Sequence, residues 1–203
     1  MHQELKDSLF KKYPSLYTDK TMSIGCGNGW YNLINVLSEL IVDRSTKVEA
    51  IQVKEKFGEL RFYYKNTNSD YIEGIVQMAK ILSGVICEEC GDLGTTANAK
   101  GAMRTRCQKH KSFLEKKIAE EPVDLPFETS GIGKSWLAMV TNFYLHVDAN
   151  RHMYTDLEFG EVTKEFGHLT LEMGGGDDVT DAMIRMMLAY AAVVDEETGE
   201  LIR

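Results

Sequence analysis

The sequence predicts an α+β protein built as a tandem duplication of a helix–β-hairpin–helix unit, the first copy carrying a zinc-ribbon-like knuckle. Three observations predict it. The stretch Cys87-Glu-Glu-Cys-Gly-Asp-Leu93 returns as Asp195-Glu-Glu-Thr-Gly-Glu-Leu201, without its cysteines. Residues 70–93 align without a gap onto 178–201, with seven of 24 positions identical, a single register that chance similarity between amphipathic segments does not readily give. Upstream, Val53-Lys-Glu-Lys-Phe-Gly-Glu-Leu-Arg-Phe62 matches Val162-Thr-Lys-Glu-Phe-Gly-His-Leu-Thr-Leu171. Gly25-Cys-Gly-Asn-Gly-Trp30 matches Gly131-Ile-Gly-Lys-Ser-Trp136, so both tryptophans take one equivalent place. The layout that follows is a zinc-containing first copy over 1–118, a linker over 119–128 where Glu-Glu-Pro and Leu-Pro interrupt any helix, and an acidic second copy over 129–203.

Each element of the first copy has its own signal. Leu33, Val36, Leu37, Leu40 and Ile41 recur at helical spacing and place a helix that starts near Trp30. Val48 to Lys54 and the alternating Leu60, Phe62, Tyr64 flank Glu55-Lys-Phe-Gly58, which reads as a hairpin with one buried face. Arg61 and Tyr63 then point outward. A second helix begins at Ser69 or Asp70, carries Glu73 in its first turn and buries Ile72, Ile75, Val76 and Ala79. In the second copy Asp178 is the expected cap, and Val179, Met183, Met186 and Met187 form the apolar stripe. Residues 136–148 suit a helix through Met139, Val140, Phe143 and Val147, yet Thr141 to Val147 also alternates like a strand; the repeat favours the helix.

Composition places the 203-residue chain among globular proteins with 43% hydrophobic residues, enough for one sizeable core or two modest ones. No apolar run approaches the roughly 18 to 20 residues of a membrane span, and the start lacks a signal-peptide core. A cytoplasmic setting without membrane contact is expected, where cysteines with metal-like spacing ligate rather than form disulfides. Charge divides with the repeat: residues 1–117 carry 18 basic and 14 acidic side chains, residues 118–203 carry 5 and 17. An acidic second copy suits a basic partner or a solvated surface.

The sharpest chemical signal is Cys87-x2-Cys90 followed by Cys107-x2-His110. Two such turns supply four soft or borderline ligands and complete a tetrahedral zinc sphere, which leaves no open position and predicts one structural zinc. The second copy offers Asp195 and Thr198 at the equivalent places and is expected to hold none. Around the second turn stand Lys100, Arg104, Arg106, Lys109, Lys111, Lys116 and Lys117, a collar that together with Arg61 and Tyr63 could contact phosphates and bases or a protein partner. Gly131-Ile-Gly-Lys-Ser135 ends like a phosphate-binding loop, but Glu128 stands where such a loop needs glycine. Cys26, between glycines ahead of a helix, is a weak nucleophile candidate, and its counterpart is Ile132. His146 and His168 show no partner by spacing. No catalytic constellation emerges.

The motifs Cys26-Gly-Asn-Gly-Trp30 and Gln52-Val-Lys-Glu-Lys-Phe-Gly-Glu-Leu-Arg-Phe-Tyr-Tyr64, with the Cys87/Cys90/Cys107/His110 quartet, resemble a group of short bacteriophage and prophage proteins. The resemblance covers roughly residues 8–112 and implies a bacterial host cytoplasm; it implies no activity. The expectation is therefore a phage-type accessory protein that binds a host macromolecule, foremost a host protein, as an inhibitor of a host or defence function. The alternative is a nucleic-acid-binding zinc ribbon.

Overall fold

The computed structural model describes residues 1–99, 101–111, 123–154 and 156–202. It is a mixed α+β fold with five α-helices and three small sheets among those residues. Helix α1 (Gln3–Lys12) and the two-residue strand β1 (Ile24–Gly25) precede a short 3-10 turn, Asn28–Trp30, that leads into α2 (Tyr31–Arg44). The hairpin β2 (Glu49–Lys56) and β3 (Glu59–Lys65) is followed by α3 (Asp70–Ser83) and a second hairpin, β4 (Thr95–Ala99) and β5 (Ala102–Arg106). The remainder runs β6 (Thr129–Ser130), α4 (Lys134–Ala149), β7 (Glu158–Glu165), β8 (His168–Gly174) and α5 (Asp178–Ala191).

The two hairpins expected from the alternating patterns sit in sheets of the same construction. In β1-β2-β3 the first pair is parallel and the second antiparallel, and β6-β7-β8 repeats this. Each long pair has a register shift near its start, between Ala50 and Gln52 and between Phe159 and Val162. Both tips turn on a Phe-Gly pair with positive φ, Phe57 (59°) and Gly58 (79°), Phe166 (51°) and Gly167 (84°), the mirror-image turn that suits the strand twist. The short parallel strands were not legible, because two residues carry no periodicity.

Residues 136–148 are helical within α4, as the repeat favours. Of the predicted linker, residues 123–128 form no helix or strand; 119–122 lie outside the described residues. Ser69 precedes α3 as expected but makes no side-chain cap bond. In α5 the cap is Asp177 rather than the expected Asp178: its side chain accepts from the Thr180 amide and the Thr180 hydroxyl accepts from the Asp177 amide, at the position equivalent to Ser69.

Helix α3 is buried well beyond one stripe, including Ile72, Gly74, Ile75, Met78, Ala79, Ile81 and Leu82, whereas its Val76, like Leu40 of α2, stays half-buried. The reason is a second helix on its far side. α5 packs along α3 so closely that a Cβ on Gly74 would lie 2.2 Å from the Val179 carbonyl oxygen and 2.7 Å from the Ala182 Cβ. Gly74 and Ala182 are equivalent positions of the sequence repeat. α2 also contacts α5, and α4 contacts α3, so one continuous core runs through both segments.

Candidate metal centre

The Cys87 turn closes on itself before any metal is considered. The Cys87 amide donates to the Asp92 carbonyl (2.8 Å), the Gly91 amide to the Cys87 carbonyl (2.9 Å), and Gly91 takes a φ of 91° that a side chain would resist. The second pair of ligands arrives on the end of β5. The Glu88 amide donates to the Thr105 carbonyl (2.9 Å), which binds the two ligand turns to each other, and the His110 amide donates to the Cys107 carbonyl (3.0 Å).

These turns bring Cys87, Cys90, Cys107 and His110 together, with all four ligand atoms within 4.8 Å of one another. Cys90 Sγ lies 3.6 Å from Cys107 Sγ, and His110 Nδ1 lies 3.5 Å from Cys87 Sγ and 3.3 Å from Cys107 Sγ. Metal–ligand lengths of ~2.0–2.3 Å at tetrahedral angles require edges of about 3.5–3.8 Å, so this donor set could hold one metal ion in zinc-like geometry. Cys87 and Cys107 are buried and Cys90 is exposed.

The Cys26-Gly-Asn-Gly-Trp30 motif is the seat of this centre. A Cβ on Gly29 would lie 2.1 Å from the Cys87 carbonyl oxygen, and one on Gly27 2.1 Å from that of Glu88. Both glycines are needed for the backbone to reach the ligand turn. The Gly29 amide donates to the Glu88 carbonyl (2.8 Å), the Gly27 amide to Glu88 Oε1 (3.0 Å), and Trp30 Nε1 to the Ile86 carbonyl (2.9 Å). Burial pushes the Glu88 carboxyl upward, with the Gly27 amide and Arg104 opposing it. The Cys26 thiol is buried and driven up to about 12 by that burial, which leaves it protonated and inert at neutral pH.

Most of the predicted contact residues are engaged with acidic or aromatic neighbours. Arg104 bridges Glu55 (2.5 Å) and Glu88 (3.6 Å), tying the first hairpin to the ligand turn. Arg106 meets Glu89 at 3.2 Å, and Lys109 meets Asp92 at 3.0 Å and Glu200 at 3.9 Å. Arg61 pairs with Glu59 at 2.8 Å, and Tyr63, 43% exposed, lies 5.2 Å beneath the Lys54 ammonium. Lys111 is half-buried after the second turn; Lys100, Lys116 and Lys117 lie outside the described residues. What the sequence did not reveal is that Glu55 and Glu88, acids from two distant segments, hold Arg104, because no local pattern connects them.

The Asp195 turn repeats the Cys87 turn bond for bond. The Asp195 amide donates to the Glu200 carbonyl (2.7 Å), the Gly199 amide to the Asp195 carbonyl (2.9 Å), and Gly199 has a φ of 76°. Where the first turn has two cysteines, Asp195 Oδ1 accepts from the amides of Glu197 (3.0 Å) and Thr198 (2.8 Å) and from the Thr198 hydroxyl (3.0 Å). Gly133 is pressed against the Glu196 carbonyl as Gly27 is against Glu88, and the Ser135 amide donates to that same carbonyl (2.7 Å). The Gly131-Ile-Gly-Lys-Ser135 segment therefore seats a turn of its own chain. Lys164 pairs directly with Glu196 at 2.7 Å, standing in the place of Glu55, whose link to Glu88 needs Arg104.

His146, with its pKa lowered by burial and by nearby Lys80, joins Gln77 Nε2 (3.1 Å) and the Tyr154 hydroxyl (3.3 Å). His168 is exposed at the start of β8. No protein-family model, curated protein or solved structure matches the chain.

Proposed function

We propose that the protein is an accessory binding protein with one structural zinc, and that it acts by occupying a host protein rather than by catalysis. The observation that carries this reading is the closure of the Cys87, Cys90, Cys107 and His110 cluster: four protein ligands within 4.8 Å leave no coordination position for water or substrate. The inert Cys26 thiol agrees with a non-catalytic role. The resemblance of the first copy to phage and prophage proteins supplies the setting, a bacterial host cytoplasm, and an inhibitory role against a host or defence protein fits it.

The second part of the proposal concerns origin. Equal sheet order, equivalent register shifts, matching Phe-Gly tips and two turns closed by equivalent backbone bonds support descent from a tandem duplication in which the second copy exchanged its metal for an Asp195–Thr198 hydrogen-bonded turn. A protein partner is favoured over nucleic acid because Arg104, Arg106 and Lys109 are already neutralised by carboxylates.

Metal analysis of protein purified under reducing conditions should give one zinc per chain, and affinity capture from host lysate should retain one stoichiometric protein. Two zincs or none would overturn the site. Retention of nucleic acid that is lost steeply with salt, in place of a protein, would overturn the choice of partner.

A further inference from the structure

We infer that the Asp195 turn serves the metal centre of the other half: Asp195 and Thr198 are positioning residues that hold the Cys87 turn in its ligating shape and slow the release of its metal. The link is a single peptide unit. The Asp92 carbonyl accepts from the amide of Cys87 (2.8 Å), and the Leu93 amide, on the other side of the same peptide group, donates to the Thr198 carbonyl (2.9 Å). The two turns therefore share one hydrogen-bonded chain, in which each bond polarises the next.

The Asp195 carboxylate fixes the acceptor at the end of that chain. Its Oδ1 takes both the amide and the hydroxyl of Thr198, so the residue that offers its carbonyl to Leu93 is held from two sides. On the far side the Glu196 carbonyl accepts from the Ser135 amide (2.7 Å), which fastens the turn to the start of α4. Gly199 permits the close approach: a Cβ there would lie 3.2 Å from the Leu93 amide nitrogen and 3.0 Å from Ser135 Oγ. A second contact reaches the other ligand pair. Lys109, between Cys107 and His110, meets Asp92 at 3.0 Å and Glu200 of the second turn at 3.9 Å.

The turns also share a cleft of about 330 Å³, lined by Cys90, Gly91 and Asp92 from one and by Gly199, Glu200 and Leu201 from the other. Cys90 alone among the cysteines is exposed, so a competing chelator meets its first ligand sulfur beside the second turn. Groups that orient a ligand without touching the metal govern how firmly it is held. A turn that lacks cysteines yet keeps the glutamates, glycine and leucine of its counterpart thus has a use for that backbone.

This inference rests on the structural zinc proposed above, so the test first measures the zinc content of the full wild-type chain and then follows zinc transfer to an excess of a colorimetric chelator. Asp195→Ala should release zinc roughly tenfold faster, at the low end of what such losses cost, and Thr198→Ala should move the rate the same way by less. Asp195→Asn keeps an oxygen acceptor and should release zinc close to the wild-type rate. Thr180→Ala breaks the capping box of α5, which weakens the second half away from the turn and should leave release unchanged. Equal rates for wild type, Asp195→Ala and Thr198→Ala would overturn the inference. Equal acceleration by Asp195→Ala and Thr180→Ala would overturn it too, since the effect would then be a general loss of stability. A wild-type chain that takes up no zinc would overturn the structural site, and this inference with it.

Discussion

Phe57 and Phe166 each hold a left-handed backbone, and their rings are 65% and 100% exposed, so neither conformation nor burial favours phenylalanine there. The left-handed region costs an ordinary side chain ~1–2 kcal/mol, whereas asparagine tolerates it and is preferred in this turn. Phe166→Asn should therefore stabilise the protein by about 0.5–1 kcal/mol, read as a higher urea midpoint at unchanged slope. Phe57→Asn should gain less, since Lys56 lies 5.2 Å over that ring. A lower midpoint for Phe166→Asn would mean that the ring packs in solution. The Phe-Gly turns were legible in the sequence because a turn is local. What Gly29 does was not: its missing side chain answers to the Cys87 carbonyl, 58 residues away along the chain (87 minus 29), and only the fold brings the two together.

The two ligand-type turns show one element stabilised by two chemistries. A metal held by the first would add its binding free energy to folding, while in the second three bonds to Asp195 Oδ1 fix the same backbone. Cys87→Ser should abolish zinc binding and lower the unfolding temperature, whereas Thr198→Ala should leave one zinc per chain and produce a small drop; equal zinc loss in both would refute the division. Acid should separate them as well. The amide and hydroxyl of Thr198, with the Glu197 amide, hold the Asp195 carboxyl below the usual carboxylate range, so its contribution is present above the unfolded value near ~4 and is lost only as pH falls through the lowered folded value. Thiolate ligands are protonated and release metal at higher pH, so metal release on acid titration should precede loss of the second turn. The Cys-x2-Cys and Cys-x2-His spacings were legible because ligand pairs are local. The β4–β5 hairpin that delivers the second pair was not, since Thr95–Ala99 and Ala102–Arg106 are short and weakly patterned.

At the scale of the whole molecule the halves are joined through α3 and α5 and through a polar cluster beside them. The helix crossing leaves no room at Gly74: Gly74→Val places a branched side chain where a single Cβ already meets the Val179 carbonyl oxygen at 2.2 Å, and should destabilise by about 1–3 kcal/mol or more. The cluster makes the same junction sensitive to pH. Gln77 of α3 donates from Nε2 to the Tyr154 hydroxyl (2.6 Å), and His146 of α4 completes the triangle. Burial, and then Lys80, lower the His146 pKa, with Glu59 opposing. The folded protein thus resists protonating a group that the unfolded chain protonates near ~6.5. Its contribution to stability is whole above that pH and declines as pH falls toward and through the depressed folded value. With zinc in excess, the urea midpoint of wild type should fall between about pH 7 and 5 more steeply than that of His146→Gln, which keeps a hydrogen-bonding side chain but does not titrate. Parallel profiles for the two proteins would show that the cluster joins the halves without sensing protons.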